Sequence, residues 1–375
     1  MSAANLKMAI SRIQAGNHLS REDAAEAFSW ALCGDDPVHD VSLGALLAAL
    51  EMRGPSSTEL AGLVDACRAF DSGMCPPPPS SSRTRPGPVM AMVGSGKDTF
   101  PTANISTAAA LVAASLGVPV VKPVAAGVNS RRGSADLVNR LGLPLSESAD
   151  AVEASLDRHD VAFFRIENRI PHFHHRYGGR FLFFHPLSPY LGVLSLPVHV
   201  DAVVMGLARP RTAEAVETVS KLGLGLRAAL ALHCSVDDSG LGCDELLPVG
   251  ENAISVWRHD AASATQLDLP APWRNPRHDP AMVEALTAEE SPSATQFVRT
   301  LSAHGPLNET QEAVAMNAGA LLWLAERANS LEEGRNAATA ALRQGAPREL
   351  LESLGCELPS NRKRFDWALA GAEDA

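Results

Sequence analysis

Apolar residues in the first part of the chain recur at intervals of three and four, the spacing of a single helix face. Residues 5–14 set Leu6, Ile10 and Ile13 on one side. Ser20-Arg21-Glu22-Asp23 is a capping-type start for a helix running to about Leu32. Residues 41–52 carry Leu43, Leu46, Leu47 and Leu50 on one stripe, and Ser56-Ser57-Thr58-Glu59 is a capping box for a helix through Phe70. These helices, with no strand signal between them, predict a small all-α domain over 1–71; part of 170–200 is expected to complete it. Proline and serine crowd 72–88. Proline fixes φ and lacks an N–H, so this stretch is expected to be a linker.

The pattern changes at Val89. Short continuous apolar runs at 89–93, 118–122, 161–164, 201–208 and 227–234 read as buried strands, and 106–117, 133–141 and 212–222 as helices between them. This alternation predicts an α/β domain over 89–358, with a mainly parallel sheet flanked by helices. Residues 280–354 return to helices, with the best amphipathic pattern at 309–328. A charged tail, 359–375, is expected to be loose.

Composition narrows the classes. The 375 residues hold 32 basic and 43 acidic side chains, a formal charge of −11, and 46% are apolar. That excludes global disorder and argues against a nucleic-acid partner, whose phosphates want Lys and Arg. No apolar run approaches the roughly 18 residues that a membrane span needs. The start is too polar for a secretory signal, and six dispersed cysteines without a CxxC read as reduced thiols of a cytoplasmic protein.

The sharpest chemistry follows the first strand: Gly94-Ser95-Gly96-Lys97-Asp98, then Asn104-Ile105-Ser106-Thr107 opening an Ala-rich helix. Glycines let backbone amides crowd an anion, and the helix start adds free N–H groups and positive dipole. The Ser106 and Thr107 hydroxyls suit an oxyanion or hydrated Mg²⁺, and Asp98 a metal or ribose. Walker and dinucleotide loops are excluded: Ala91, Asp98 and Thr99 stand where those motifs need Gly, Ser or Thr, and Gly. A plain capped strand–helix turn uses the same residues. Lys122, read as the end of the next strand, would share the carboxyl rim of the sheet with this loop, as would 129–136. The adjacent acids Asp244 and Glu245 can hold Mg²⁺ opposite a pyrophosphate, with Asp237 and Asp238 as competitors. His172, His174 and His175 are not spaced as a zinc set and read as helix-start or pocket-rim residues.

Together these clusters resemble the anthranilate phosphoribosyltransferase family of nucleoside phosphorylase-type transferases. That family's GTGGD loop is similar to 94–98, its NIST helix start to 104–107, its strand lysine to Lys122, its SGSAD to 132–136 and its Asp-Glu pair to Asp244-Glu245. Flanking helical stretches at 19–70 and 309–345 extend the likeness to nearly the whole chain. The resemblance implies a helical domain beside an α/β domain, a cleft between them, and Mg²⁺-dependent transfer of phosphoribosyl from phosphoribosyl pyrophosphate (PRPP) to an acceptor, with pyrophosphate released. It implies donor contacts from Gly94, Ser95, Gly96, Asp98, Asn104, Ser106, Thr107, Lys122, Ser130, Gly133 and Ser134. Mg²⁺ would be held at Ser106, Asp244 and Glu245, and the enzyme would be a homodimer formed through the helical domain.

The acceptor side departs from the family. Where the family reads His-Gly-Asn-Arg after the lysine, this chain has Pro123-Val124-Ala125-Ala126, and Ser188 aligns with the arginine that pairs the anthranilate carboxylate. These residues and His174 form the expected acceptor pocket. Leaving a buried charge unpaired costs about 3–5 kcal/mol. The expectation is therefore the same donor with a different, neutral or cationic, small-molecule acceptor. Arg165, Arg169, Arg176 and Arg180 lie in a basic stretch from which a replacement arginine could come. The rival expectations are anthranilate phosphoribosyltransferase itself, a pyrimidine nucleoside phosphorylase, and a non-catalytic relative that binds nucleic acid or a partner.

Overall fold

Four helices begin the chain: α1 (Ala3–Gln14), α2 (Arg21–Cys33), α3 (Pro37–Arg53) and α4 (Ser57–Phe70). They are seen in a computed structural model that describes residues 3–78, 85, 87–126, 133–178, 180–181, 184–237, 240–270, 273–274, 279–287 and 294–356. Ser20 accepts from Asp23 N, Asp36 accepts from Val38 N and His39 N, and Ser56 and Glu59 cap each other reciprocally. Caps of this type contribute about 1 kcal/mol each. The Leu43–Leu50 stripe is buried in one apolar cluster with Phe28, Leu32, Leu60 and Leu63. Glu59 is wholly enclosed. It accepts from Leu19 N at 2.7 Å, Ser56 N at 2.8 Å and Arg53 Nη2 at 2.5 Å, and meets His18 at 2.8 Å. Burial would raise its pKa, but these bonds outweigh burial and hold it at about 2.

Past a 3₁₀ turn at Ser72–Met74, where the sequence predicted only linker, the remaining elements run β1 (Met90–Val93), α5 (Ile105–Ser115), β2 (Val120–Val124), α6 (Ser134–Arg140), α7 (Ala149–His159), β3 (Val161–Arg165), α8 (Ile166–Arg169), α9 (Pro171–Tyr177), α10 (Leu191–Leu194), β4 (Ala202–Gly206) and α11 (Thr212–Ser220). After them come β5 (Ala228–Ser235), β6 (Gly242–Cys243), β7 (Glu251–Arg258), β8 (Thr265–Gln266), α12 (Pro280–Leu286), α13 (Ala294–Thr300), α14 (Glu309–Leu324), α15 (Leu331–Gln344) and α16 (Ala346–Ser353). The sheet order is β3-β2-β1-β4-β5-β7-β8, with β6 also on β5. Junctions from β3 to β5 are parallel, and β6, β7 and β8 add antiparallel edges. Strand order reverses between β1 and β4. In open α/β sheets that switch point opens a crevice at the strands' carboxyl ends.

Both faces of the parallel part of the sheet are covered, which is why β1 to β5 are buried and mostly apolar. One face packs on α5 and the 280–354 helices. The other shares a single core with α1–α4, and Ile170, Phe173 and Tyr177 of the α9 segment and Val193 and Leu194 of α10 join that core. Asp71, just past α4, caps α9 by accepting from His172 N and Phe173 N at 2.9 and 3.1 Å.

Three sequence expectations change. Lys122 does not end its strand: β2 stays paired with β3 through Pro123↔Phe164 and Val124↔Arg165. Beside β1, pairing stops at Val121, so the missing N–H of Pro123 breaks no ladder on that side. The 309–328 stretch is not an amphipathic surface helix. α14 is buried nearly all round, because it lies between α5 and α15. Strand β7 was unforeseen. Ser130, linker residues 79–84 and 86, and the tail lie outside the described residues.

Candidate functional site

The crevice at the β1/β4 switch is built by two loops far apart in sequence. Gly94–Asp98 leaves β1, and Asp244-Glu245 follows β6. Thr99 N and Phe100 N donate to Gly242 O at 3.1 and 3.2 Å, and Gly242 N returns a bond to Thr99 Oγ1 at 2.9 Å. Asp244 N donates to Asp98 Oδ1 at 2.8 Å. Two glycines make room for this closure. A Cβ on Gly206, at the end of β4, would lie 2.0 Å from Asp244 O, and one on Gly94 would lie 2.8 Å from Asp244 Oδ2.

The glycine loop behaves as an anion cradle. Asp244 Oδ2 accepts from Ser95 N at 2.5 Å, Ser95 Oγ at 3.1 Å and Gly96 N at 3.3 Å. At the start of α5, Glu245 Oε1 accepts from Ser106 N at 3.0 Å, and its Oε2 accepts from Thr102 Oγ1. The protein's own carboxylates thus hold the positions that the amides and helix dipole prepare for negative charge. Asn104 is left-handed (φ 52°), and its side chain makes no cap bond. Thr107 Oγ1 is buried without a hydrogen-bond partner among the described residues, a donor left over beside the helix start.

Charge is unbalanced here. Burial first, and then the charges of Asp244 and Glu245, push the Asp98 pKa well above the carboxylate range. Burial and then Asp244 raise Glu245 as well. Lys122 is 3% exposed. Burial lowers its pKa, while Asp244 and Glu245 pull it back up. Three clustered acids, two of which act on this lysine, make a buried region that is short of positive charge. A divalent cation suits that deficit. Among the described residues no three acid, His or Cys side chains converge to hold one, so the set fits a hard cation whose other ligands are phosphate oxygens and water.

Other expected contacts are dispersed or spent. Gly133 N donates to Asp136 at 2.6 Å, and Ser134 Oγ accepts from Ala125 N at 3.2 Å, tying α6 to the end of β2. Pro123 and Val124 are buried strand residues, Ala125 is half-buried and Ala126 exposed. His174 is exposed on α9. Ser188 is buried, its Oγ accepting from His185 N at 3.3 Å, and burial pushes the His185 imidazole down to about 3. Arg176 binds Leu32 O, Asp35 and Asp40, so it belongs to the helical layer. Arg169 Nε reaches Ser195 O at 3.4 Å. Arg165 makes no ion pair among the described residues.

Residues that local pattern did not flag also take part: Thr102 binds Glu245 and Gly206 admits Asp244. Lys97, within the flagged loop, donates from Nζ to Phe181 O. A glycine closing a buried strand was the one available signal among them.

Comparisons with known proteins agree with this architecture. Residues 87–348 match the family described as glycosyl transferase family, a/b domain, and residues 7–70 match its helical bundle domain. An anthranilate phosphoribosyltransferase of Thermomicrobium roseum is 32% identical over 352 residues, 92% of this chain and 94% of that one. The crystal structure of anthranilate phosphoribosyltransferase (TrpD) from Thermus thermophilus superposes with a TM-score of 0.68 at 28% identity, covering 92% of this chain and 98% of that one. The Saccharomyces cerevisiae enzyme, solved in complex with PRPP and Mg, shares the fold at a TM-score of 0.61 and 21% identity, over 94% and 97% of the two chains. With both of its domains matched in order and nearly end to end, the chain belongs to this glycosyl transferase family.

Proposed function

We propose that this protein is a Mg²⁺-dependent phosphoribosyltransferase. It moves the 5-phosphoribosyl group of PRPP to a small-molecule acceptor and releases pyrophosphate. The observation that carries the reading is the pairing of a glycine-loop anion cradle with Asp244 and Glu245, which occupy that cradle and the start of α5. The names of the relatives and the yeast complex with PRPP and Mg support it.

In this reading Gly94, Ser95, Gly96 and Asp98 receive the pyrophosphate and its metal. Asn104, Ser106 and Thr107 take phosphate or ribose oxygens, with Thr107 Oγ1 as the unspent donor. Diphosphate entering the loop takes the amides that Asp244 now holds, which frees Asp244 and Glu245, with Ser106, to hold Mg²⁺. The bound cation supplies charge stabilisation to the leaving pyrophosphate. Lys122 offsets phosphate charge, and the crevice aligns the acceptor with the ribose. Ser130, Gly133 and Ser134 complete the donor side as the family resemblance implies.

The acceptor we propose is not anthranilate but an uncharged or cationic nitrogen compound. In support, Ala125 and Ala126 offer methyl groups, Ser188 is spent within its own turn, and Arg176 is committed to Asp35 and Asp40. Anthranilate remains the second reading. The names of the relatives favour it, and Arg165 at the end of β3 has no ion-pair partner among the described residues. Incubation with PRPP, Mg²⁺ and a panel of acceptors, read by pyrophosphate release and product mass, tests both. Rapid conversion of anthranilate alone would overturn the first. A homodimer through the helical domain is part of the proposal, supported by exposed Met8 on α1 and Val38, Val41 and Met52 on α3.

A further inference from the structure

The end of β2 lies where the acceptor should approach, and its main-chain groups are already spent. Ala125 N is held by Ser134 Oγ and Ala125 O by Ala135 N at 3.1 Å. Ala126 N donates to Glu167 Oε1 at 2.8 Å. Glu167 comes from α8, the short turn that leaves β3, and register places the ends of β2 and β3 side by side at Val124↔Arg165. Its second oxygen, Oε2, is buried and has no hydrogen-bond partner among the described residues. A carboxylate oxygen out of water without a donor is costly to leave unmade, and a ligand N–H recovers that cost.

We infer that Glu167 is the acceptor-recognition residue of this chain: it holds an N–H of an uncharged or cationic nitrogen acceptor through Oε2 and disfavours acceptors that carry a carboxylate. The inference rests on the phosphoribosyl-transfer reading and names the class of acceptor within it. The bond to Ala126 N fixes the side chain, so an acceptor N–H that enters beside the exposed Ala126 meets Oε2 without further rotamer loss. A carboxylate brought beside it is repelled, and repulsion of that kind separates partners as effectively as attraction does. In the transfer step, the acceptor nitrogen forms its bond to ribose C1 with its own lone pair. The bond from C1 to the pyrophosphate oxygen breaks, and pyrophosphate leaves with that electron pair. The N–H proton passes to Glu167 Oε2.

Two probes test this, anthranilate and 2-aminobenzamide, which share ring and amine and differ in carboxylate against carboxamide. Glu167→Gln keeps an oxygen for Ala126 N, so the local fold is retained. The wild-type protein should prefer the amide. Glu167→Gln should shift the amide-to-anthranilate ratio of kcat/KM toward anthranilate by about tenfold or more. Saturation-transfer NMR on the protein with each probe reads the same ratio from binding, without turnover. Equal loss for both probes, an unchanged ratio, or a wild-type preference for anthranilate would overturn the inference. Calorimetric titration of PRPP with Mg²⁺ should give the same affinity for both proteins. A wild-type protein that binds no PRPP would sink the transferase reading, while the NMR ratio still decides the role of Glu167.

Discussion

At the scale of single residues, two carboxylates make opposite statements. Glu59 is bonded on both oxygens, and its pKa falls from 4.5 to about 2. A depressed carboxylate stabilises the fold fully above its unfolded value and loses that contribution as pH falls through its folded value, here between about 4.5 and 2. Glu59→Gln should therefore cost about 3 kcal/mol near neutrality. The gap in thermal midpoint between wild type and variant should narrow steadily as pH is lowered from 6 toward 3. Asp244 instead sits in a cradle suited to a ligand, bonded to amides that a diphosphate would take. Asp244→Asn with Glu245→Gln should remove the Mg²⁺-dependent gain in PRPP affinity while leaving the circular dichroism unchanged. Identical titration heats with and without the substitutions would end the metal assignment.

At the scale of elements, close approach rather than propensity sets the geometry. Where α14 crosses α15, a Cβ on Gly319 would lie 2.6 Å from Arg335 N, and one on Gly334 would lie 2.5 Å from Gly319 O. Where β4 meets the 244 loop, a Cβ on Gly206 would lie 2.0 Å from a backbone oxygen. Forcing a methyl into such contacts costs roughly 1–3 kcal/mol. Gly319→Ala should lower the thermal midpoint but leave PRPP affinity intact at low temperature. Gly206→Ala should lower both, since the displaced backbone carries Asp244. Equal PRPP affinity in the two variants would show that the 244 loop does not depend on β4. The helix caps at Ser20 and Ser56 were legible from sequence because a cap is a contact across two or three residues, whereas the Asp36 cap, which lies ahead of the apolar stretch at 41–52, was not. The burial of α14 was not, because its alanines and glycines read alike on a surface and inside a core.

At the scale of the whole molecule, one sheet carries two cores, and the helical layer is continuous with one of them. Met8, Val38, Val41 and Met52 remain between 61% and 87% exposed on α1 and α3. Sedimentation should find a species of two chains, and Val41→Glu with Met52→Glu should yield single chains of unchanged helicity. A wild-type protein that sediments as one chain at every concentration would remove the dimer. Sequence by itself determined what is local: four helices, two of them with legible caps, the apolar strands of a sheet covered on both faces, and a glycine turn opening a helix. Each depends on neighbours a few positions away. Tertiary structure alone decided that Asp244 and Glu245 lie in that turn and at the start of its helix, that Arg176 serves the helical layer, and that Glu167 rests on Ala126 with one oxygen unspent. Strand order sets these meetings, and strand order follows from how the whole chain covers its apolar faces, which no local spacing records.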